Sequence, residues 1–254
     1  MKFFGFAVAT AACLATGTAV NVYGAPPGSS AAAAAVAPRA SGAVAATATA
    51  ALQAAAWSME SLGGVKPAVF AMALQATACA LRTGDINTLP QTLTVIDYSQ
   101  PSTAERLWVF DLRTRALLYH ELVAHGQGSG GNFATTFSNT DESHQSSLGL
   151  FVTEDTYVGK NGYSLRMRGL DEGFNDRAYD RAIVMHGAPY VSAEFAKQQG
   201  RLGRSWGCPA LRSTVAREVI DRVKKGGAVF AYANQAAWLH ASRFLNGCAT
   251  PTAS

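Results

Sequence analysis

Two short stretches of this chain hold the residue types that nucleophilic catalysis needs. Cys208 lies in Gly203-Arg204-Ser205-Trp206-Gly207-Cys208-Pro209, and His186-Gly187 lies 22 residues before it, at the end of an apolar run. The thiolate is the nucleophile and a free cysteine titrates near about 8.5, so Cys208 needs a base. His186 is the natural one, able to accept the thiol proton and later to protonate a leaving amine. Glycines beside the cysteine let the backbone approach a substrate closely. Pro209 biases Cys208 toward an extended backbone. These are the surroundings expected of an exposed nucleophile. From spacing alone the alternative stays open that His186 is an ordinary half-buried residue and Cys208 half of a disulfide.

Other side chains carry weaker chemistry. His120-Glu121-Leu122-Val123-Ala124-His125 resembles a zinc motif, but its histidines are five apart and on a strand would face opposite sides, so no metal site is expected. His144 sits in a polar loop and reads as solvated; His240 falls on a helical pattern and reads as packing. Arg204 suits a peptide carboxylate or an ordinary ion pair, and Trp206 a substrate wall or core packing. No phosphate loop, carboxylate dyad or cofactor motif is present in the sequence, so no cofactor is expected.

The elements that must position Cys208 and His186 are mostly strands. Leu107 to Leu112 and Leu117 to Val123 flank the turn Arg113-Thr114-Arg115 as a hairpin would. Leu148 to Val152 is another strand. Tyr163, Leu165 and Met167 alternate with Ser164, Arg166 and Arg168, the pattern of a half-buried strand. Ala182 to Met185 is a short apolar strand ending at His186. Ser213 or Thr214 is placed to cap a helix whose stripe is Val215, Val219, Ile220 and Val223. Gly226-Gly227 ends it, and Ala228 to Tyr232 returns as a strand. The fold class is therefore mainly β with helices (α+β). The expected division is a signal peptide at 1–24, an Ala-rich linker at 25–56, a helical prelude at 57–91, a catalytic domain at 92–246 and a tail at 247–254. Within the prelude, Pro67 starts a helix running to about Arg82.

Composition bounds the rest. The 254 residues are 48% hydrophobic and 15% charged, enough apolar content for a sizeable core. Net charge is +4 without a basic cluster, so nucleic acid is not an expected partner. Met1-Lys2, the uncharged apolar run Phe3 to Val22, and small residues at Val22 and Gly24 form a cleavable leader. Export follows, to a periplasm or cell wall, with no stable membrane insertion after cleavage; retention as an anchor is the alternative. The segment 25–56 holds 17 Ala in 32 residues with little large apolar surface to bury, hence a linker. Beyond the leader three cysteines remain. A disulfide between Cys79 and Cys248 would tie the prelude to the C-terminal segment; the alternative is that both are reduced and buried. Oligomeric state is not legible.

Met185-His186-Gly187 followed by Gly203-Arg204-Ser205-Trp206-Gly207-Cys208-Pro209-Ala210-Leu211 resembles the catalytic signature of the murein L,D-transpeptidases, the YkuD-like family, in its Gly-Arg-Ser-Trp-Gly-Cys-Pro-Ala branch. Phe137-Ser138-Asn139, Ser146-Ser147-Leu148-Gly149, Gly159 to Leu165 and Arg181-Ala182-Ile183-Val184 support it, and the likeness covers about Thr92 to Tyr232. It implies packed mixed β-sheets with one helix against them, and peptidoglycan stem peptides as partners. Cys208 would attack the carbonyl of a meso-diaminopimelate residue and expel terminal D-Ala. His186 would be the base and the Gly187 carbonyl would orient it. Backbone N–H groups around Gly207 and Cys208 would hold the oxyanion, with Ser205 beside them. An amine then takes the acyl group to make a crosslink. Arg204, Trp206, Arg212, Tyr190 and His125 are the candidate substrate-binding residues, and a carbapenem would form a stable thioester.

The chain departs from the family pattern in three places. Trp206 stands where a second histidine is usual. The His-to-Cys gap is a few residues longer, as if a loop at Ala193 to Leu202 were inserted over the cleft. The arginine usual two places after the cysteine is missing, with Arg212 the candidate substitute. The rival within the class is an L,D-carboxypeptidase or endopeptidase using water on the same thioester. Papain-like hydrolases have the opposite order of Cys and His, and sortases a wider gap. A non-catalytic wall-binding domain is the alternative outside enzymes.

Overall fold

The computed structural model describes residues 52–248. The leader expected at 1–24, most of the linker and the last six residues of the tail lie outside them. Among the described residues no helix is long and apolar enough to cross a membrane.

Eight strands close into one barrel: β1 (Thr92–Asp97), β2 (Glu105–Asp111), β3 (Ala116–Ala124), β4 (Gly149–Gly159), β5 (Gly162–Gly169), β6 (Val184–Ala188), β7 (Ala210–Arg212) and β8 (Ala228–Tyr232). Their order around it is β1-β2-β3-β7-β6-β5-β4-β8. The β1–β8 and β6–β7 pairs are parallel and the rest antiparallel. The sheet is mixed, as expected, but it is a single closed layer. The β2–β3 hairpin forms where the sequence places it, around a turn whose Arg113 and Thr114 N–H groups donate to Asp111. The β6 strand runs two residues past His186, to Ala188.

The helices are α1 (Pro67–Thr83), α2 (Ala193–Gln199), α3 (Ala216–Val223), α4 (Ala236–Ala241) and α5 (Arg243–Asn246). Pro67 opens α1, where its missing N–H costs nothing. The α1 face carrying Val69, Phe70 and Ala73 joins the same core as the barrel strands. Trp57, Phe70 and Phe110 meet edge to face there, with ring centroids 4.8–5.6 Å apart. Cys79 of α1 is joined to Cys248 by a disulfide. Neither Ser213 nor Thr214 caps α3; the helix begins after Val215 without a side-chain cap, and its apolar stripe, Val219, Ile220 and Val223, is fully buried. Packing of that stripe does what the cap was expected to do.

Strand alternation divides two apolar clusters. Val123, Met185 and Leu211 point to the main core. Their neighbours Leu122, Ala124, Ala188 and Ala210 form a second, smaller cluster with Val191 and Leu202 on the other face. His186 is two residues before Ala188, and so belongs to the face of the smaller cluster. The segment Ala193 to Leu202, expected as an inserted loop, holds α2, capped by Ser192 Oγ accepting from the Phe195 N–H at 3.1 Å.

Candidate active site

Parallel pairing of β6 with β7 puts His186 opposite Ala210, and so brings the end of the Gly-rich stretch beside the histidine. The His186 N–H donates to the Pro209 carbonyl at 3.4 Å. Cys208 is the free cysteine among the described residues. It is 7% exposed, not the open nucleophile expected from its glycines. A thiol packs as a small apolar group, and here its sulfur turns toward the start of β6. The Val184 N–H donates to Sγ at 3.4 Å, and Sγ lies 3.7 Å from the Ala182 carbonyl oxygen. Ala182 holds a left-handed backbone, φ +53°, to make that approach. Burial pushes the thiol above its usual range, opposed by the Val184 N–H, the Arg181 charge and its own N–H.

His186 is 4% exposed, with Nδ1 3.0 Å from the Gly187 carbonyl oxygen. A carbonyl only accepts, so Nδ1 carries the proton and Nε2 the free lone pair. Burial lowers the affinity of this imidazole for a second proton, against a smaller upward pull from the same carbonyl. His186 is thus a neutral, oriented base at pH 7.

Ser205 organises the loop between them. Its Oγ donates to the Cys208 carbonyl at 2.6 Å and accepts from the Gly207 N–H at 3.1 Å. The Gly207 N–H, expected as an oxyanion donor, is committed in this state. Gly207 has φ +114°, and a Cβ there would sit 2.7 Å from the Gln145 carbonyl oxygen, so only glycine fits. Ser205 in turn is bound to the residue that follows β3: its N–H donates to the His125 carbonyl at 3.0 Å.

The expected substrate-binding residues fall in different places. Trp206 is 67% exposed and stacks on His144, with ring centroids 4.6 Å apart and planes 12° apart. His144 is therefore not merely solvated; Gln127 Nε2 also lies 2.9 Å from its Nδ1. Tyr190 is half-buried, its ring against Gly203, and burial with the nearby Cys208 pushes its hydroxyl up to about 12. Arg204 donates to the Gly130 carbonyl at 2.9 Å and fixes the turn after β3. Arg212 is no substitute for the missing arginine: it forms a two-armed pair with Glu121, both arms 2.7 Å, and lies at the end of β7 away from the cysteine. His125 does not line a cleft. It follows Val123 by two residues, so it faces inward, fully buried, with Nδ1 2.7 Å from Arg106 Nη2. Burial, and then the charge of that buried Arg106, lower it to about 4.

Sequence reasoning missed Arg106 and assigned no role to Arg181. Arg106 and Arg181 each stand just before an apolar strand pattern, and nothing local marks either. Among the described residues no group of three or more His, Cys, Asp or Glu is placed to hold a metal ion. His120 and His125 point apart, His120 stacking on Trp108 instead.

A family model described as the L,D-transpeptidase catalytic domain (YkuD_2) matches residues 62–232. No curated protein matches the sequence. Among solved structures, an L,D-transpeptidase from Mycobacterium smegmatis is similar at 16% identity and TM-score 0.37, over 57% of this chain and 60% of that one. L,D-transpeptidase 1 from Mycobacterium tuberculosis gives 14% and 0.32 over 57% and 63%. An L,D-transpeptidase from Xylanimonas cellulosilytica gives 14% and 0.32 over 66% and 81%. The chain thus spans somewhat under two thirds of the two mycobacterial structures.

Proposed function

The chain belongs to the L,D-transpeptidase catalytic domain family, and from that premise we propose that it is an exported enzyme that remodels peptidoglycan through an acyl-Cys208 intermediate. The observation that carries this reading is the arrangement of His186: a neutral imidazole pinned at Nδ1 by the Gly187 carbonyl, on the strand paired with the one that Cys208 enters.

Cys208 Sγ gives its proton to His186 Nε2 and attacks the meso-diaminopimelate carbonyl of a stem tetrapeptide. The tetrahedral intermediate collapses as His186 returns the proton to the departing D-Ala amine, leaving a thioester. The Cys208 N–H, whose interaction with its own sulfur favours the thiolate, serves as an oxyanion donor. One such donor is worth about 3–4 kcal/mol of transition-state stabilisation. An amine of a neighbouring stem attacks the thioester next, its proton passing to His186, and a crosslink forms with the thiol restored. Trp206 forms the exposed wall along which the stem lies, and Tyr190 closes the other side.

Intact mass of the mature protein after incubation with a carbapenem, beside Cys208→Ala, tests the acylation. An adduct on wild type alone is expected. Purified muropeptides then separate crosslinked dimers from the shortened monomers that a carboxypeptidase would give. No adduct and no muropeptide conversion by a folded, reduced wild type would overturn the proposal in favour of a wall-binding domain.

A further inference from the structure

We infer that Arg181 is a positioning residue for Cys208, clamping the segment packed against the cysteine loop and anchoring the start of the strand that contacts the thiol. The inference rests on the reading of Cys208 as nucleophile and adds how the nucleophile is held.

Arg181 is half-buried and spreads both arms of its guanidinium over one loop. Nη1 donates to the Ser138 carbonyl at 2.8 Å and to Ser147 Oγ at 2.7 Å. Nη2 donates to the Gln145 carbonyl at 2.9 Å and to Ser143 Oγ at 3.0 Å. The segment so gripped is the one against the cysteine loop. Ser146, between two clamped residues, donates through Oγ to the Gly207 carbonyl at 3.1 Å and accepts from the Gly126 N–H at 3.0 Å. The clamped Gln145 carbonyl is the atom that a Cβ on Gly207 would strike at 2.7 Å.

On its other side Arg181 is one peptide bond from Ala182, whose carbonyl faces Sγ, and three residues from Val184, whose N–H donates to Sγ. Arg181 therefore ties the segment against the cysteine loop to the backbone turn that contacts the sulfur. A Lys could not do the same, because an ammonium lacks the planar fork that spans four acceptors.

The charge matters too. Arg181, before β6, is the charged group whose pull favours the Cys208 thiolate. Burial first, and the thiol after it, raise the phenols of Tyr190, after β6, and of Tyr98, just past β1, and His186, on β6, is neutral in the resting state. The position carries strain as well: Arg181 Nε is buried without a partner, and Ala182 has its left-handed backbone.

The pH profile of Cys208 alkylation by iodoacetamide, read as modification of the Cys208 peptide by mass spectrometry, tests the inference without peptidoglycan. Arg181→Gln is expected to move the profile's midpoint up by about half a pH unit or more, and Arg181→Lys by less, both with wild-type circular dichroism. A folded Arg181→Gln with the wild-type midpoint overturns the inference. If the Gln variant does not fold, the Lys variant decides: a midpoint and rate indistinguishable from wild type overturn it, and a raised midpoint supports it. The outcome is independent of the proposed function. A wild type that is alkylated normally yet makes no carbapenem adduct and converts no muropeptide sinks the enzyme reading and leaves the Arg181 comparison standing.

Discussion

The Trp206 indole lies flat on the His144 imidazole, 4.6 Å centroid to centroid, and the indole remains 67% exposed. The stack joins the cysteine loop to the loop that Arg181 clamps. It holds a large apolar plate open to solvent two residues from the nucleophile.

Trp206→Ala should therefore weaken substrate binding without unfolding the protein. Aromatic contacts of this kind are worth about 0.5–1.5 kcal/mol beyond area burial, so KM for a muropeptide should rise about 3- to 10-fold. The melting temperature and the rate of iodoacetamide alkylation should hardly move. A large loss of melting temperature would make Trp206 a packing residue.

Gly207→Ala should disable the thiol. Its φ of +114° is closed to an L side chain, and the new Cβ would meet the Gln145 carbonyl at 2.7 Å and the Ile183 side chain at 2.8 Å. A cost of about 1–3 kcal/mol is expected, read as a lower urea midpoint together with slower alkylation of Cys208. Gly131→Ala, where a Cβ meets nothing within 4 Å, is the silent control.

Acid should destabilise the protein in a window set by His125. Its folded-state value is lowered to about 4 from the ordinary 6.5 of a histidine, so the unfolded chain binds the extra proton first. Above pH 6.5 neither state is protonated and there is no penalty. Between pH 6.5 and about 4 stability falls by up to about 3 kcal/mol, and below that the loss levels off. Urea melts of wild type against His125→Asn, which keeps an acceptor for Arg106, measure it: the variant's curve should be flatter over that window. Equal slopes would show that His125 is not the group responsible.

Reduction of the Cys79–Cys248 bond, which spans a sequence separation of 169, should cost about 2–5 kcal/mol by release of the unfolded chain. Thermal melts with and without reductant give the number. Because the bond joins α1 to the C-terminal segment and neither carries a site residue, Cys208 alkylation at 25 °C should be unchanged.

Some elements were legible because their signals are local. Pro67 marks the start of α1, and the polar turn at Arg113 to Arg115 between two apolar runs marks the β2–β3 hairpin. The alternation from Tyr163 to Arg168 marks β5. Residue type and spacing alone left open whether His186 and Cys208 act together; the resemblance to the family signature is what marked them as a couple. The α3 cap was misjudged because Ser213 and Thr214 have capping chemistry, whereas the helix is held by its buried stripe.

What the sequence determined by itself was the set of reactive groups and the local propensities: a thiol flanked by glycines, an imidazole closing an apolar strand, and runs whose period is that of strands. Only the tertiary structure decided which way those groups face. Closing the sheet sets β6 beside β7 in parallel, and that long-range register puts His186 opposite Ala210, at the end of the cysteine loop. It also turns His125 inward onto Arg106, ties Arg212 to Glu121, and buries the thiol against Ala182 and Val184. A strand's side-chain direction alternates every residue, so where a reactive group points depends on partners far away in the chain, which no local pattern records.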